Sequence, residues 1–330
     1  MNYTEQLNSL VSEWDDNESS ESTPAWSSRL QRILFHSEYR YTDYRQFSSE
    51  GAFPKRLFEW LKCGASTQEK QALLRAASAL TFLDRGQMRS LYRDGFRRIL
   101  LPWLMPLTPL ALRKNPKSHS SIVVELRRHV LVSITDSFSF SDFMHENDLA
   151  GLSRPHVLGE AADGVEAIVA ALPSHTGIVV FEDLVGTGKQ ALGALKALRA
   201  RTSVPIYFLP LILFHSGQKA LIEARTGLMP FKFEGVFLVD EGDCVRRNPT
   251  GKEPEDHSHV RALALNTKTR VLERNDATDD PPDNELGYRD TGGLLVTAHN
   301  TPNNTLPLFH HRAPSWSPLF RRVHNCKDGL

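Results

Sequence analysis

The sequence predicts an α/β fold in which a mainly parallel sheet is flanked by helices and preceded by a helical N-terminal section. Four apolar runs of strand length, residues 130–134, 178–181, 206–213 and 233–239, alternate with stretches of helical period, and that alternation builds a parallel sheet. The run Ile178-Val179-Val180-Phe181 has the β-branched and aromatic content of a strand covered on both faces, and it passes at once through two carboxylates and a glycine turn into a helix. Upstream, from Trp26 to about Met105, apolar residues recur instead at helical spacing.

Residues 1–23 are acidic and serine-rich around 15–22, which predicts a mobile lead-in or a short helix with a loose linker. Residues 24–115 form the helical section. Within it 53–61 is amphipathic, and Ser66 with Glu69 makes a capping-box signature before a helix over 71–82. Met88, Leu91, Tyr92, Phe96 and Ile99 continue at helical spacing. The opposite face carries Arg85, Arg89, Arg93 and Arg97 at four-residue intervals, with Arg98 beside them. This row is a candidate contact for nucleic-acid phosphates or a partner's acidic surface, or else a solvated face balanced by Asp84 and Asp94.

A proline-rich bridge over 102–116 leads into the α/β domain, residues 116–330. Strand 130–134 is followed by the turn Thr135-Asp136-Ser137 and a helix over 140–149. Strand 178–181 leads into a helix over 190–200, and strands 206–213 and 233–239 follow. The last of these ends in Asp240, Glu241 and Asp243, acids that either bind magnesium or are solvated. Residues 248–292 read as an insertion with a helix over 258–272 and an acidic, proline-containing stretch over 275–285, a flap or partner-docking segment. A short core strand over 294–297 then precedes a polar turn bearing Asn300, Asn303 and Asn304. That turn is either an Asx-rich cap or a group of base-reading amides.

The chemistry concentrates at 182–190. Function in a parallel sheet sits at the C-terminal ends of the strands. There Glu182 and Asp183 can accept hydrogen bonds from vicinal sugar hydroxyls. Gly186 and Gly188 let successive N–H groups line a concave nest suited to phosphate, and the next helix adds its N-terminal donors. A P-loop reading of Gly-Thr-Gly-Lys fails on spacing, because Asp183 and Gln190 stand where that motif needs a glycine and a Ser or Thr.

This strand, acid pair and turn resemble the ribose-phosphate signature of the type I phosphoribosyltransferase fold. A second segment, Gly292-Gly293-Leu294-Leu295-Val296-Thr297-Ala298-His299-Asn300-Thr301-Pro302-Asn303-Asn304-Thr305-Leu306-Pro307, is similar to the closing segment of the phosphoribosyltransferase-like domains of prokaryotic anti-phage conflict systems. Some of those domains occur beside retron reverse transcriptases. The resemblance covers roughly residues 50–322. It implies that Glu182 and Asp183 are the catalytic pair on the ribose hydroxyls, and that Val185, Gly186, Thr187, Gly188, Lys189 and Gln190 surround the 5-phosphate. Gln190 replaces the Thr usual in the family. By position Asp136 and Ser137 represent the pyrophosphate loop, without its usual basic or glycine-rich character.

The implied ligand is phosphoribosyl pyrophosphate or a nucleotide, with magnesium if the protein is active and chemistry by transfer or cleavage at the anomeric carbon. The alternative is an inactive nucleotide-sensing or structural module of a retron or other defence complex. The implied partners are a defence-system protein or retron nucleic acid.

Composition narrows the remaining classes. Lys plus Arg equals Asp plus Glu at 39 each, so no global field draws the chain to nucleic acid or an anionic membrane. Cys63, Cys244 and Cys326 lack paired spacing, which argues against a disulfide framework or zinc ribbon and fits a reducing cytoplasm. His257, His259, His310 and His311 show no spacing of a closed metal set. The N-terminus lacks a basic region followed by an apolar run, and no stretch reaches the ~20 apolar residues of a membrane span. A cytoplasmic protein with no membrane partner is the expectation.

Overall fold

A computed structural model describes residues 2–16, 25–44, 51–107, 118–159, 162–273 and 284–322. Its strands are β1 (Thr81–Leu83), β2 (His129–Ser133), β3 (His156–Val157), β4 (Gly177–Val185), β5 (Ile206–Phe214), β6 (Phe231–Phe233), β7 (Phe237–Val239) and β8 (Leu295–Thr297). All strand pairs are parallel. The fold is α/β, with helices flanking mostly parallel sheets and a helical section at the N-terminal side. Compactness separates two units, Arg89–Glu241 on one hand and Met1–Met88 with Gly242–Leu330 on the other. These divisions differ from the compositional boundary at 115/116, which falls outside the described residues.

The 89–241 unit holds the six-stranded sheet, in the order β3-β2-β4-β5-β6 with β7 also on β5. β2 and β5 are buried along their whole length and β4 everywhere but Asp183 and Leu184, as strands covered on both faces are. The chain passes from β2 outward to β3, then crosses back to lay β4 on the other side of β2. This reversal between β2 and β4 is the topological switch point, where open parallel sheets form a crevice beyond the strand ends. Helices Phe140–Glu146, Ala162–Ala171, Lys189–Arg201 and His215–Ala224 make the connections.

One strand expected over 233–239 is two. β6 pairs with β5 at Ile206 to Phe208 and β7 pairs with it at Ile212 to Phe214. Between them stands Pro210, whose carbonyl accepts from Val236 N–H at 3.1 Å but which has no N–H to return. The ladder therefore breaks at Pro210. Gly235 fits there because a side chain would press on Leu213, 2.6 Å from the Cβ it would carry.

The other unit packs helices Tyr3–Asp15, Trp26–Tyr39, Phe53–Lys62, Thr67–Ala79 and Glu255–Asn266 around its own core, which includes Trp60, Phe82, Phe309 and Phe320. Near the N-terminus stands Tyr3–Asp15. It is a helix with a capping box between Asn2 and Glu5, and it buries Leu7, Val11 and Trp14. The helix expected over 71–82 ends at Ala79, because Leu80 turns extended (φ −68°, ψ 128°) and Phe82 pairs with Val296 as the β1–β8 sheet.

Three other expected helices also shift. The first, over 140–149, stops at Glu146. The second, over 258–272, divides at Thr267 into Glu255–Asn266 and Lys268–Val271. In the third, the α-helix Arg85–Asp94 gives way to a π-helix at Gly95–Leu100, so Arg97 leaves the four-residue register of Arg85, Arg89 and Arg93. The acidic stretch 275–285 lies outside the described residues except for Asn284 and Glu285. No helix among the described residues is long and apolar enough to cross a membrane.

Candidate functional site

The 89–241 unit brings two chain segments together at its switch point. The first is the loop after β2, which is anchored at both ends. Ile134 N–H donates to the Phe181 carbonyl at 3.2 Å, and Phe138 stacks on the Phe181 ring with centroids 5.1 Å apart. Phe143 adds a further ring contact to Phe181 at 5.1 Å. Between these anchors Thr135 is half-buried while Asp136 and Ser137 are exposed.

The second segment is the end of β4. Pairing with β5 continues past the acids, through Val185↔Leu213, so Glu182 and Asp183 sit within the paired length of the strand and not beyond it. Glu182 is only 5% exposed, whereas Asp183 is half-buried. Glu182 accepts from Thr135 N–H at 3.2 Å and from Thr135 Oγ1 at 2.8 Å. Asp183 Oδ1 accepts from Ser137 Oγ at 2.8 Å and from Leu184 N–H at 2.8 Å.

The expected acid pair and Ser137 therefore meet. Thr135, to which the sequence assigns no more than a place in the turn, is the residue that holds Glu182.

Burial is the largest influence on both carboxyls and raises each above the ordinary carboxylate range. For Glu182 the adjacent Asp183 charge adds to it, against the hydrogen bonds from Thr135. For Asp183 the bond from Ser137 opposes burial. Thr135 Oγ1 and Ser137 Oγ are also 2.5 Å apart.

The turn 186–188 follows. Gly188 has φ 77°, a left-handed conformation that favours glycine, and caps the helix Lys189–Arg201. Gly186 and Gly188 are buried, Thr187 is half-buried, and Lys189 and Gln190 are exposed in the first helical turn. The Gly186 carbonyl accepts from Ser216 Oγ at 3.1 Å, and Gly217 lets the next helix approach, since a Cβ there would lie 2.5 Å from that oxygen. Among the described residues, the N–H groups of Gly186, Thr187 and Gly188 donate to no backbone carbonyl. Unpaired amides at a helix start bind anions.

Asn300, Asn303 and Asn304 belong to the other unit, where they build the turn after β8. Asn300 Oδ1 accepts from Thr301 N–H at 2.9 Å, the Asn303 carbonyl accepts from Tyr288 N–H at 2.9 Å, and buried Asn304 donates through Nδ2 to Thr291 Oγ1 at 3.0 Å. Arg89 and Arg93 approach Glu146 at 3.4 and 3.9 Å, and Arg98 approaches Asp94 at 3.6 Å. Arg85 and Arg97 are exposed.

No group of three or more His, Cys, Asp or Glu among the described residues is arranged to hold a metal ion. Glu182 and Asp183 offer two carboxylates, which is the usual protein share of a magnesium site completed by substrate phosphates.

No curated protein and no solved structure is significantly similar to the chain. A family model does match, PRTase-CE, over residues 58–322. With a parallel sheet, an acid pair at its switch point and a glycine turn into a helix, the chain belongs to the PRTase-CE family, phosphoribosyltransferase-like domains of the defence-associated type.

Proposed function

We propose that the 89–241 unit binds a ribose phosphate, either phosphoribosyl pyrophosphate or a nucleotide, and transfers or cleaves at its anomeric carbon in anti-phage defence. One observation carries this reading: Glu182 and Asp183 converge with the uncommitted amides of 186–188 at the point where the sheet order reverses. Asp183, the more exposed acid, takes a ribose hydroxyl. The turn and Lys189 take the 5-phosphate, favoured by the helix dipole. Cleavage at an anomeric carbon develops positive charge on the ring, so positioning and a nearby carboxylate supply the catalysis. Magnesium would be held by the acid pair together with ligand phosphates.

A second reading is an inactive nucleotide-sensing or structural module in a retron or other defence complex. It is favoured by the loop 135–137, which brings hydroxyls and Asp136 but no glycine or basic side chain to the place of a pyrophosphate leaving group.

The two readings separate on incubation with phosphoribosyl pyrophosphate and a panel of nucleotides, with and without magnesium, followed by mass analysis of the products. An enzyme gives product that disappears in Asp183→Asn. A sensor gives none in either form, and its ligand affinity changes. The absence of any ligand-dependent thermal shift would remove the ligand site altogether.

A further inference from the structure

Thr135 and Ser137 set two hydroxyl oxygens 2.5 Å apart, and one rests on each acid. Thr135 Oγ1 donates to Glu182 Oε1 at 2.8 Å, and Ser137 Oγ donates to Asp183 Oδ1 at 2.8 Å. Neighbouring hydroxyls that each donate to their own carboxylate reproduce the hydrogen-bond pattern a ribose diol would make with this pair. Resting on the ribose-phosphate reading above, we infer that the Thr135 and Ser137 hydroxyls are a built-in stand-in for the ribose diol, which an incoming ligand displaces, and that they set the affinity of the site.

The local construction suits such an exchange. The two acids are buried or half-buried and would lose a partner if left bare, and an unpaired buried acceptor is costly. The loop keeps them satisfied in the absence of ligand. Its ends are held by Ile134 and by Phe138 on Phe181, whereas Ser137 is exposed. A single rotation about the Ser137 Cα–Cβ bond takes its hydroxyl off Asp183 without moving those anchors. Thr135 keeps a second hold on Glu182 through its backbone N–H, so Ser137 is the half of the stand-in that leaves first.

The test is calorimetric titration of the full chain with ribose 5-phosphate, using wild type, Ser137→Ala, Ser137→Thr and Asp183→Asn. Ser137→Ala removes the competitor and is expected to tighten binding about tenfold, the scale set by releasing one hydrogen bond to a charged group. Ser137→Thr keeps a hydroxyl and is expected to bind with wild-type affinity, so that the gain in Ser137→Ala follows the hydroxyl; a merely structural role for Ser137 predicts no gain in either variant. Asp183→Asn is expected to lose binding.

Unchanged or weaker binding by Ser137→Ala, with wild type binding and Asp183→Asn not, would overturn the stand-in and leave the ribose-phosphate site in place. If no form binds, or if Asp183→Asn binds like wild type, the site itself is misread and the stand-in falls with it. Ser137 is exposed, so its substitution leaves the fold intact, and a melting curve for each variant checks this.

Discussion

Ser216 donates its hydroxyl to the carbonyl oxygen of Gly186 at 3.1 Å, tying the glycine turn to the first turn of the His215–Ala224 helix. Gly217, the next residue, makes this contact possible. Alanine there would place a Cβ 2.5 Å from the same oxygen and 2.9 Å from Val185 Cγ1. Backbone cannot yield as a side chain can. Gly217→Ala is expected to cost about 1–3 kcal/mol of stability by overpacking, despite alanine's better helix propensity. It should also weaken ribose-phosphate binding. Chemical denaturation and calorimetric titration measure the two effects.

Gly188 caps the helix in which Gly193 lies, and the two should respond in opposite senses. Gly188 has φ 77°, and a Cβ would meet Gly217 and Ala220 at 3.3 and 3.4 Å, so Gly188→Ala should destabilise by about 1–2 kcal/mol. Gly193 lies in the helix Lys189–Arg201, and a Cβ added there would have no atom within 4 Å. Gly193→Ala should therefore stabilise by up to about 1 kcal/mol through the lost freedom of the unfolded chain. Paired urea melts decide both.

Glu182→Gln should alter the pH dependence of stability. The folded-state pKa of Glu182 is raised by burial and by Asp183. The folded protein therefore holds this proton more tightly than the unfolded chain. The resulting stabilisation is fully present below about pH 4 and is lost as pH rises through the raised value. Glutamine cannot ionise, and its amide can donate to Thr135 Oγ1 while its carbonyl accepts from Thr135 N–H. The variant is expected to melt a few degrees above wild type at neutral pH and to lose that advantage in acid. Melting curves across pH 3–8 check the sign.

Asp256 receives two guanidiniums, Arg29 Nη1 and Arg75 Nη1, each at 2.6 Å, and the Arg75 guanidinium lies 4.7 Å from the centre of the Trp26 ring. Burial works against its charge, but the hydrogen bonds from both arginines prevail and hold its carboxyl below the usual range. Stability from this group is present above the unfolded pKa of Asp and is lost as pH falls through the lowered one. Asp256→Ala would leave two buried cations facing each other, and a loss of about 3–5 kcal/mol at neutral pH is expected from denaturant melts.

What is legible in the sequence is local. Ile178 to Gln190 spell strand, acids, glycine turn and helix in one stretch, and the structure keeps that order. The partner of Glu182 is not legible, because Thr135 lies 47 residues away and nothing in its neighbours marks it. Phe82 reads as the end of a helix for the same reason. Its strand pairing with Val296 exists only once distant residues arrive. The break between β6 and β7 has a local sign, Pro210 in the neighbouring strand, but it takes the register to show which residues that proline deprives of a donor. The π-helix at Gly95–Leu100 likewise leaves no signature in the spacing of its arginines.

The pairing of Thr81 with Leu295 has a bearing on synthesis. As the chain leaves the ribosome, the whole of 89–241 emerges before β8 has been made, so the portion bearing Glu182 and Asp183 can reach its fold early. The opening helices must wait for β8, Trp316 and Phe320 to complete their shared core.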